Sequence, residues 1–144
     1  MSTIREILDR KGNNVVTVSA DTSVLKAIGT MSEANIGAVV IEQGGKAAGI
    51  FTERDYLRKV ALEGRSSEST PVSEVMSSPL ITVGPGEDTR ASMETMTECR
   101  CRHLVVTEDD EMVGIVSLGD LVKHMLIKAE AEVEHLSSYI SGNY

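Results

Sequence analysis

Two stretches of the chain pair a hydroxyl with a carboxylate at the same spacing: Thr52 with Asp55 in "GIFTERD", and Ser117 with Asp120 in "GIVSLGD", 65 positions later. The shared frame is Gly, two apolar residues, Thr or Ser, two variable residues, then Asp, and it admits two chemistries. A hydroxyl followed three residues on by a carboxylate is close to a capping box and could do no more than start a helix. The same groups can also hold a nucleotide. A helix N-terminus leaves free N–H groups at the positive end of its dipole, a hydroxyl can donate to a phosphate, and a carboxylate can accept two hydrogen bonds from a ribose diol. Capping alone tolerates many residue pairs, whereas both copies use a hydroxyl plus Asp after Gly and two apolar residues. Two copies argue for two pockets.

The elements that must position these residues are themselves duplicated. Shifted by 65, Val15–Val60 matches Leu80–Met125 without gaps: Thr17-Val18 meets Thr82-Val83, Met31 meets Met96, Val40 meets Val105 and Gly49-Ile50 meets Gly114-Ile115. Such a period marks a supersecondary unit that needs a partner to cover its apolar face. Each unit reads β-α-β-β-α. A short strand ("VVTV", "LITV") leads through turn residues into a helix, "VLKAIGTMSEAN" or "TRASMETMTECR", in which Ile28, Met31 and Ala34 recur at helical spacing. Two strands joined by the turns "EQGGK" and "EDDE" follow, then a second helix starting near Thr52 or Ser117. The segments "TIREILDRKG" and "PVSEVM" read as short helices that pack across the pair. The units divide at 1–70 and 71–144, the first with the N-terminal helix and linker, the second with the C-terminal helix.

The bulk properties exclude several functions. The net charge of −8 repels a phosphate polymer, and no basic stripe with interleaved aromatics exists, which argues against nucleic acid as a partner. Aromatic residues make up 3% of the chain, so a base pocket must use aliphatic walls and backbone groups. No apolar run approaches the roughly 18 to 20 residues of a membrane span, and the N-terminus lacks the apolar core of a signal peptide, so the expected compartment is the cytoplasm. Cys99 and Cys101 form a C-x-C pair without the further ligands of a zinc site and read as reduced thiols; the three His residues show no metal-ligand spacing. No nucleophile, base and orienter set, no Walker A loop and no G-x-G-x-x-G fingerprint is present, so an enzyme is not expected.

The repeated frame after β-α-β-β resembles the CBS domain family in its tandem form, the Bateman module. "IGAVVI", "GIFTERDYLRKVALEGRSS", "TPVSEVM", "RHLVV" and "GIVSLGDLVK" are similar to small stand-alone bacterial CBS-pair proteins with mitochondrial relatives in plants. The resemblance implies an α/β, more narrowly α+β, fold: two repeats related by pseudo-twofold symmetry, their sheets packed together, with a long C-terminal helix. It also implies a regulatory sensor in signal transduction or metabolism whose two clefts bind AMP, ADP, ATP, NAD or S-adenosylmethionine. Asp55 and Asp120 would then hold riboses, and Thr52 and Ser117 would contact ribose or phosphate. Thr17-Val18 and Thr82-Val83 would flank bases, and Ile36-Gly37-Ala38 and Cys101-Arg102-His103 would face the base edge or phosphates. Where the family often has Pro in the second strand, this chain has Val40 and Val105.

The two sites are not equivalent by sequence. Arg54 stands beside Asp55 where the second frame has Gly119, and Arg102 and His103 stand where the first repeat has Gly37 and Ala38. In the modules this chain resembles, phosphate contacts come from the opposite repeat, so the resemblance implies that Arg102 and His103 would serve the Asp55 site and make it the stronger phosphate binder. Beyond the second frame, Val122, Leu126, Ala129, Val133, Leu136 and Ile140 alternate steps of four and three, a coiled-coil-like seam that packs either on its own module or on a second one. The resemblance favours a homodimer. With no output domain in the sequence, a response must pass to a separate partner protein. A non-catalytic scaffold with vestigial nucleotide sites is the alternative.

Overall fold

The computed structural model describes residues 2–141; Met1 and residues 142–144, the outer ends of the two expected units, lie outside them. In the first repeat β1 (Thr17–Ser19) runs parallel to β2 (Ala38–Gln43), and β2 runs antiparallel to β3 (Lys46–Thr52). The second repeat builds the same three-stranded sheet from β4 (Thr82–Val83), β5 (His103–Glu108) and β6 (Glu111–Ser117). Thr17 faces Val40 and Val40 faces Ile50; 65 residues on, Thr82 faces Val105 and Val105 faces Ile115. Both sheets also shift register at the matched place, between Ile41 and Glu42 and between Val106 and Thr107.

The helices between first and second strands obey the same duplication. Ser23 caps α2 (Val24–Ala34) by accepting from the Lys26 N–H, and Asp88 caps α4 (Thr89–Cys99) by accepting from the Ala91 N–H. Both helices stop on a left-handed residue, Asn35 and Arg100, each at φ 54°. The buried stripe of α2 is Val24, Ala27 and Met31. Ile28 is half-buried against it, and Ala34, near the helix end, is exposed rather than facing the core.

After β3 the chain makes one α-helical turn, α3 (Glu53–Asp55), and continues as a π-helical stretch over Tyr56–Ala61. Its wider bonding closes with Leu62 N–H donating to Leu57 O and Arg65 N–H to Val60 O, both at 3.0 Å. The matched element is the 24-residue helix α5 (Leu118–Ser141). No helix among the described residues is long and apolar enough to cross a membrane.

The two cores trade segments. Helix α1 (Ile4–Lys11) places Ile4, Ile7 and Leu8 among Met96, Leu104, Val106, Val116 and Leu121 of the second repeat, and its start is tied there by Ile4 N–H to Glu87 O and Arg5 N–H to Pro85 O. The linker's short 3-10 turn, Val72–Glu74, instead seats Val72 and Val75 in the first core beside Phe51 and Val60. The sequence division at 70 and 71 therefore runs between repeats whose cores each borrow from the other side.

The frame glycines make these crossings possible. A Cβ on Gly49 would lie 2.6 Å from Met76 Sδ and 2.9 Å from the Ser77 carbonyl oxygen, whereas one on Gly114 would lie 2.7 Å from Leu8 Cδ2. A side-chain tip can turn away and a strand-paired backbone cannot, since Ser77 exchanges backbone hydrogen bonds with Ile50. Gly49→Ala should therefore cost about 1–3 kcal/mol, and Gly114→Ala less. Equal urea midpoints for the two variants would show that the backbone crossing is not the constraint.

Candidate functional site

Both frames form the capping box that their residue types allow. Thr52 Oγ1 accepts from the Asp55 N–H at 3.1 Å while Asp55 Oδ2 accepts from the Thr52 N–H at 3.1 Å. In the second copy Ser117 Oγ accepts from the Asp120 N–H at 3.0 Å and Asp120 Oδ2 from the Ser117 N–H at 2.9 Å. Each box turns the chain from strand to helix and fixes the direction of its carboxylate.

The remaining contacts of the two carboxylates differ. Asp55 is 6% exposed, and its Oδ1 accepts from Ser77 Oγ at 2.9 Å and pairs with Lys59 Nζ at 3.1 Å. Lys59 is one helical turn on from Asp55; at the matched position of the second repeat stands His124, which is 2% exposed, faces Arg10 and Glu6 on α1, and leaves the carboxylate alone. Asp120 takes its cation from elsewhere. Lys11, at the end of α1, places Nζ 2.6 Å from Asp120 Oδ2 and 2.9 Å from the Ile115 carbonyl oxygen. Burial pushes the Asp120 carboxyl up, but the Lys11 ammonium and the Ser117 backbone outweigh it and hold the group below the usual carboxylate range.

A cleft of about 270 Å³ opens between the repeats on the Asp55 side. From the first repeat it is lined by Gly37, Ile50, Thr52, Glu53, Arg54 and Asp55, and from the second by Arg100, Cys101, Arg102, His103 and Val105, with Ser77, Pro79, Leu80 and Ile81 of the linker closing it. The structure thus brings Arg102 and His103 to the Asp55 frame. Burial lowers the His103 imidazole, Lys11 and Arg102 act in the same direction, and Asp120 and Glu53 oppose them; the ring is then a neutral hydrogen-bonding group at neutral pH. The positive charge facing the cleft belongs to the arginines. Burial raises the Cys101 thiol, with Cys99 adding to it, so Cys101 lines the cleft as a protonated side chain.

Other expected site residues lie apart from this cleft. Val18 packs against the first core and Val83 belongs to the second, because alternate positions of so short a strand must face the sheet's helices. Thr17 is half-buried and Thr82 exposed, and neither lines the cleft. Ile36 borders a shallow neighbouring groove with Gly37 and Glu53, and Ala38 is buried at the start of β2. Ser117 faces an open groove with Leu118, Val122 and Leu126, on the other side of the Arg102 and His103 that line the Asp55 cleft. The aliphatic lining of the cleft comes from Leu80 and Ile81, just before Thr82, and from Ile50 of the frame; the apolar pair preceding Thr82 was the available signal. Ser77 carried none, since its matched residue is Gly12.

Comparison with known proteins agrees with this architecture. The sequence profile of the CBS domain matches residues 4–62 and 72–127. The chain is 38% identical to the mitochondrial CBS domain-containing protein CBSX3 of Arabidopsis thaliana, over 99% of this chain and 74% of that protein. It is 31% identical to the CBS domain-containing protein YhcV of Bacillus subtilis, over 87% and 89% of the two chains. Among solved structures, a protein with CBS domains from Burkholderia ambifaria superimposes with a TM-score of 0.85 at 42% identity, covering 88% of this chain and 95% of that one. The CBS-domain containing protein ATU1752 from Agrobacterium tumefaciens gives 0.82 at 41% identity, over 86% and 99%. With two matched domains, two duplicated sheets and relatives similar over nearly its whole length, this chain belongs to the CBS-domain family as a tandem pair.

Proposed function

We propose that this chain is a regulatory module that binds an adenine nucleotide (AMP, ADP, ATP or NAD) or S-adenosylmethionine in the Asp55 cleft and passes the signal to a separate protein in the cytoplasm. CBS-domain pairs are commonly ligand-binding regulators and typically not catalysts. The observation that carries the reading is the composition of the cleft: a buried carboxylate and a hydroxyl from one repeat, arginines from the other, and aliphatic walls between them. A ribose diol suits the first pair, a phosphate the second, and a flat base the walls. A ligand spanning both repeats acts as a regulator by binding one arrangement of them better than another. Asp120 lines none of the grooves described, which supports a single dominant site at Asp55.

The test is thermal unfolding of the protein with each of the five ligands. A ligand at 100 times its dissociation constant should add about 2.7 kcal/mol. If none of the five moves the transition, the frames serve only as helix caps and the scaffold reading takes over.

We also propose that the module forms a homodimer through α5. Past Lys128 this helix leaves the module: Val133 is 66%, Leu136 58% and Ile140 84% exposed, and they continue the seam begun by Val122 and Leu126. Its first half carries Lys123 and Lys128, its second half Glu130, Glu132 and Glu134. Two copies laid antiparallel bring each half against the opposite charge and cover both seams. Light scattering should give twice the monomer mass, and Leu126→Glu with Val133→Glu should raise the dimer dissociation constant by more than about tenfold. A wild-type monomer at micromolar concentration would sink the dimer.

A further inference from the structure

The Asp55 cleft does not end at its arginines. It continues past Arg54, Arg100 and Arg102 into a second groove of about 400 Å³, where Arg58 joins them over a floor that includes Met96 and Leu118. Arg54 and Arg58 are four residues apart and present one helix face, while Arg100 and Arg102 come from the turn before β5. Among the described residues none of these four guanidinium groups has a hydrogen bond or ion pair, whereas Arg5, Arg65, Lys11 and Lys59 are each paired with a carboxylate. The chain has 22 acidic against 14 basic residues, and although Glu53 and Asp55 line the same cleft, none of the four arginines is within ion-pair distance of an acid among the described residues, so the four neighbouring cations repel each other. Such an arrangement is relieved by a multivalent anion. Guanidinium forks match phosphate oxygens in pairs, and a chain of phosphates can follow the row where a single phosphate reaches only its inner end.

We infer that this groove seats a polyphosphate chain, so that the ligand carries two or more phosphates, its ribose at Asp55 and its outer phosphates between Arg58 and Arg100. The inference rests on the nucleotide reading above and adds a discrimination that the cleft alone does not make. Arg102 and Arg54, at the shared edge, meet the first phosphate of any nucleotide; Arg58 meets only the outer ones. The cleft's own volume, about 270 Å³, is small beside the roughly 300–1,000 Å³ of ligand pockets, and the adjoining groove supplies the missing room.

Isothermal calorimetry with AMP, ADP, ATP and inorganic tripolyphosphate tests it on the wild type, Arg58→Ala and Arg100→Asn. The second substitution copies Asn35, which holds the same left-handed cap in the first repeat. ATP should bind at least about tenfold more tightly than AMP to the wild type; Arg58→Ala should weaken ATP about fivefold or more while leaving AMP within about twofold, and Arg100→Asn, whose side chain lines both cleft and groove, should weaken both but ATP by the larger factor. Tripolyphosphate should compete with ATP and lose affinity in the same variants. Equal affinities for AMP and ATP, or equal losses of both in the variants, would overturn the polyphosphate seat while leaving the nucleotide cleft intact. Binding of tripolyphosphate without any nucleotide, lost in both variants, would keep the seat and overturn the nucleotide reading.

Discussion

Asp55→Asn is expected to lower the affinity for the bound adenine nucleotide by about tenfold or more, and Asp120→Asn to change it by less than about threefold. A hydrogen bond to a charged group contributes on the order of 1.5–3 kcal/mol, and 1.4 kcal/mol is a factor of ten in binding. Asparagine keeps an oxygen for the Thr52 N–H that Asp55 now satisfies, so the helix start survives and the loss reports the missing charge. Asp120 begins from a different state. Lys11 lies 2.6 Å from its Oδ2, on the oxygen that also caps Ser117, and neutralises its charge from outside the cleft. Asp55 has a cation too, Lys59 on Oδ1, and what sets it apart is that it lines the cleft shared with the arginines, whereas Asp120 lines none of the grooves described. Calorimetric titration of the two variants decides the matter, and equal losses would contradict a dominant Asp55 site.

Much of this arrangement was legible in the sequence because duplication constrains twice. A shift of 65 aligned the frames, and the structure repeats not only the strand order but the partner of each residue, the caps at Ser23 and Asp88, and the left-handed stops at Asn35 and Arg100. These are short-range choices of backbone, each dictated by a side chain in place. The meeting of Arg102 and His103 with the Asp55 frame was likewise readable, as an asymmetry between matched positions. That α1 and the linker turn pack across the pair was expected from their matched places, but local pattern could not convey which residues they would meet there. Ile4, Ile7 and Leu8 of α1 suit either repeat, and the choice is made by the hydrogen bonds of its first residues to the loop before α4. The pairing of Lys11 with Asp120 follows from that choice and was missed. Its trace lay in the matched residue of the linker, Met76, which packs over Gly49 and carries no charge.

The largest loss of stability is expected from Ile4→Ala, about 2–5 kcal/mol, because the side chain is fully buried in the second core and no neighbour can fill its place. Urea unfolding gives the size of the loss, and amide exchange gives its location. Exchange should rise in β5 and β6 before β2 and β3, since Leu8 lies over Gly114 of β6 and Ile4 packs with Leu104 and Val116. A rise confined to β2 and β3 would place α1 in the wrong core. The same helix brings Lys11 to Asp120, so loosening it also returns the Asp120 carboxyl toward its ordinary range. That pairing contributes stability present above the ordinary carboxylate range and lost as pH falls through the depressed folded value. The acid limb of unfolding should therefore flatten in Ile4→Ala relative to the wild type, because the helix that carries Lys11 to Asp120 is the one whose anchor in the second core has been cut.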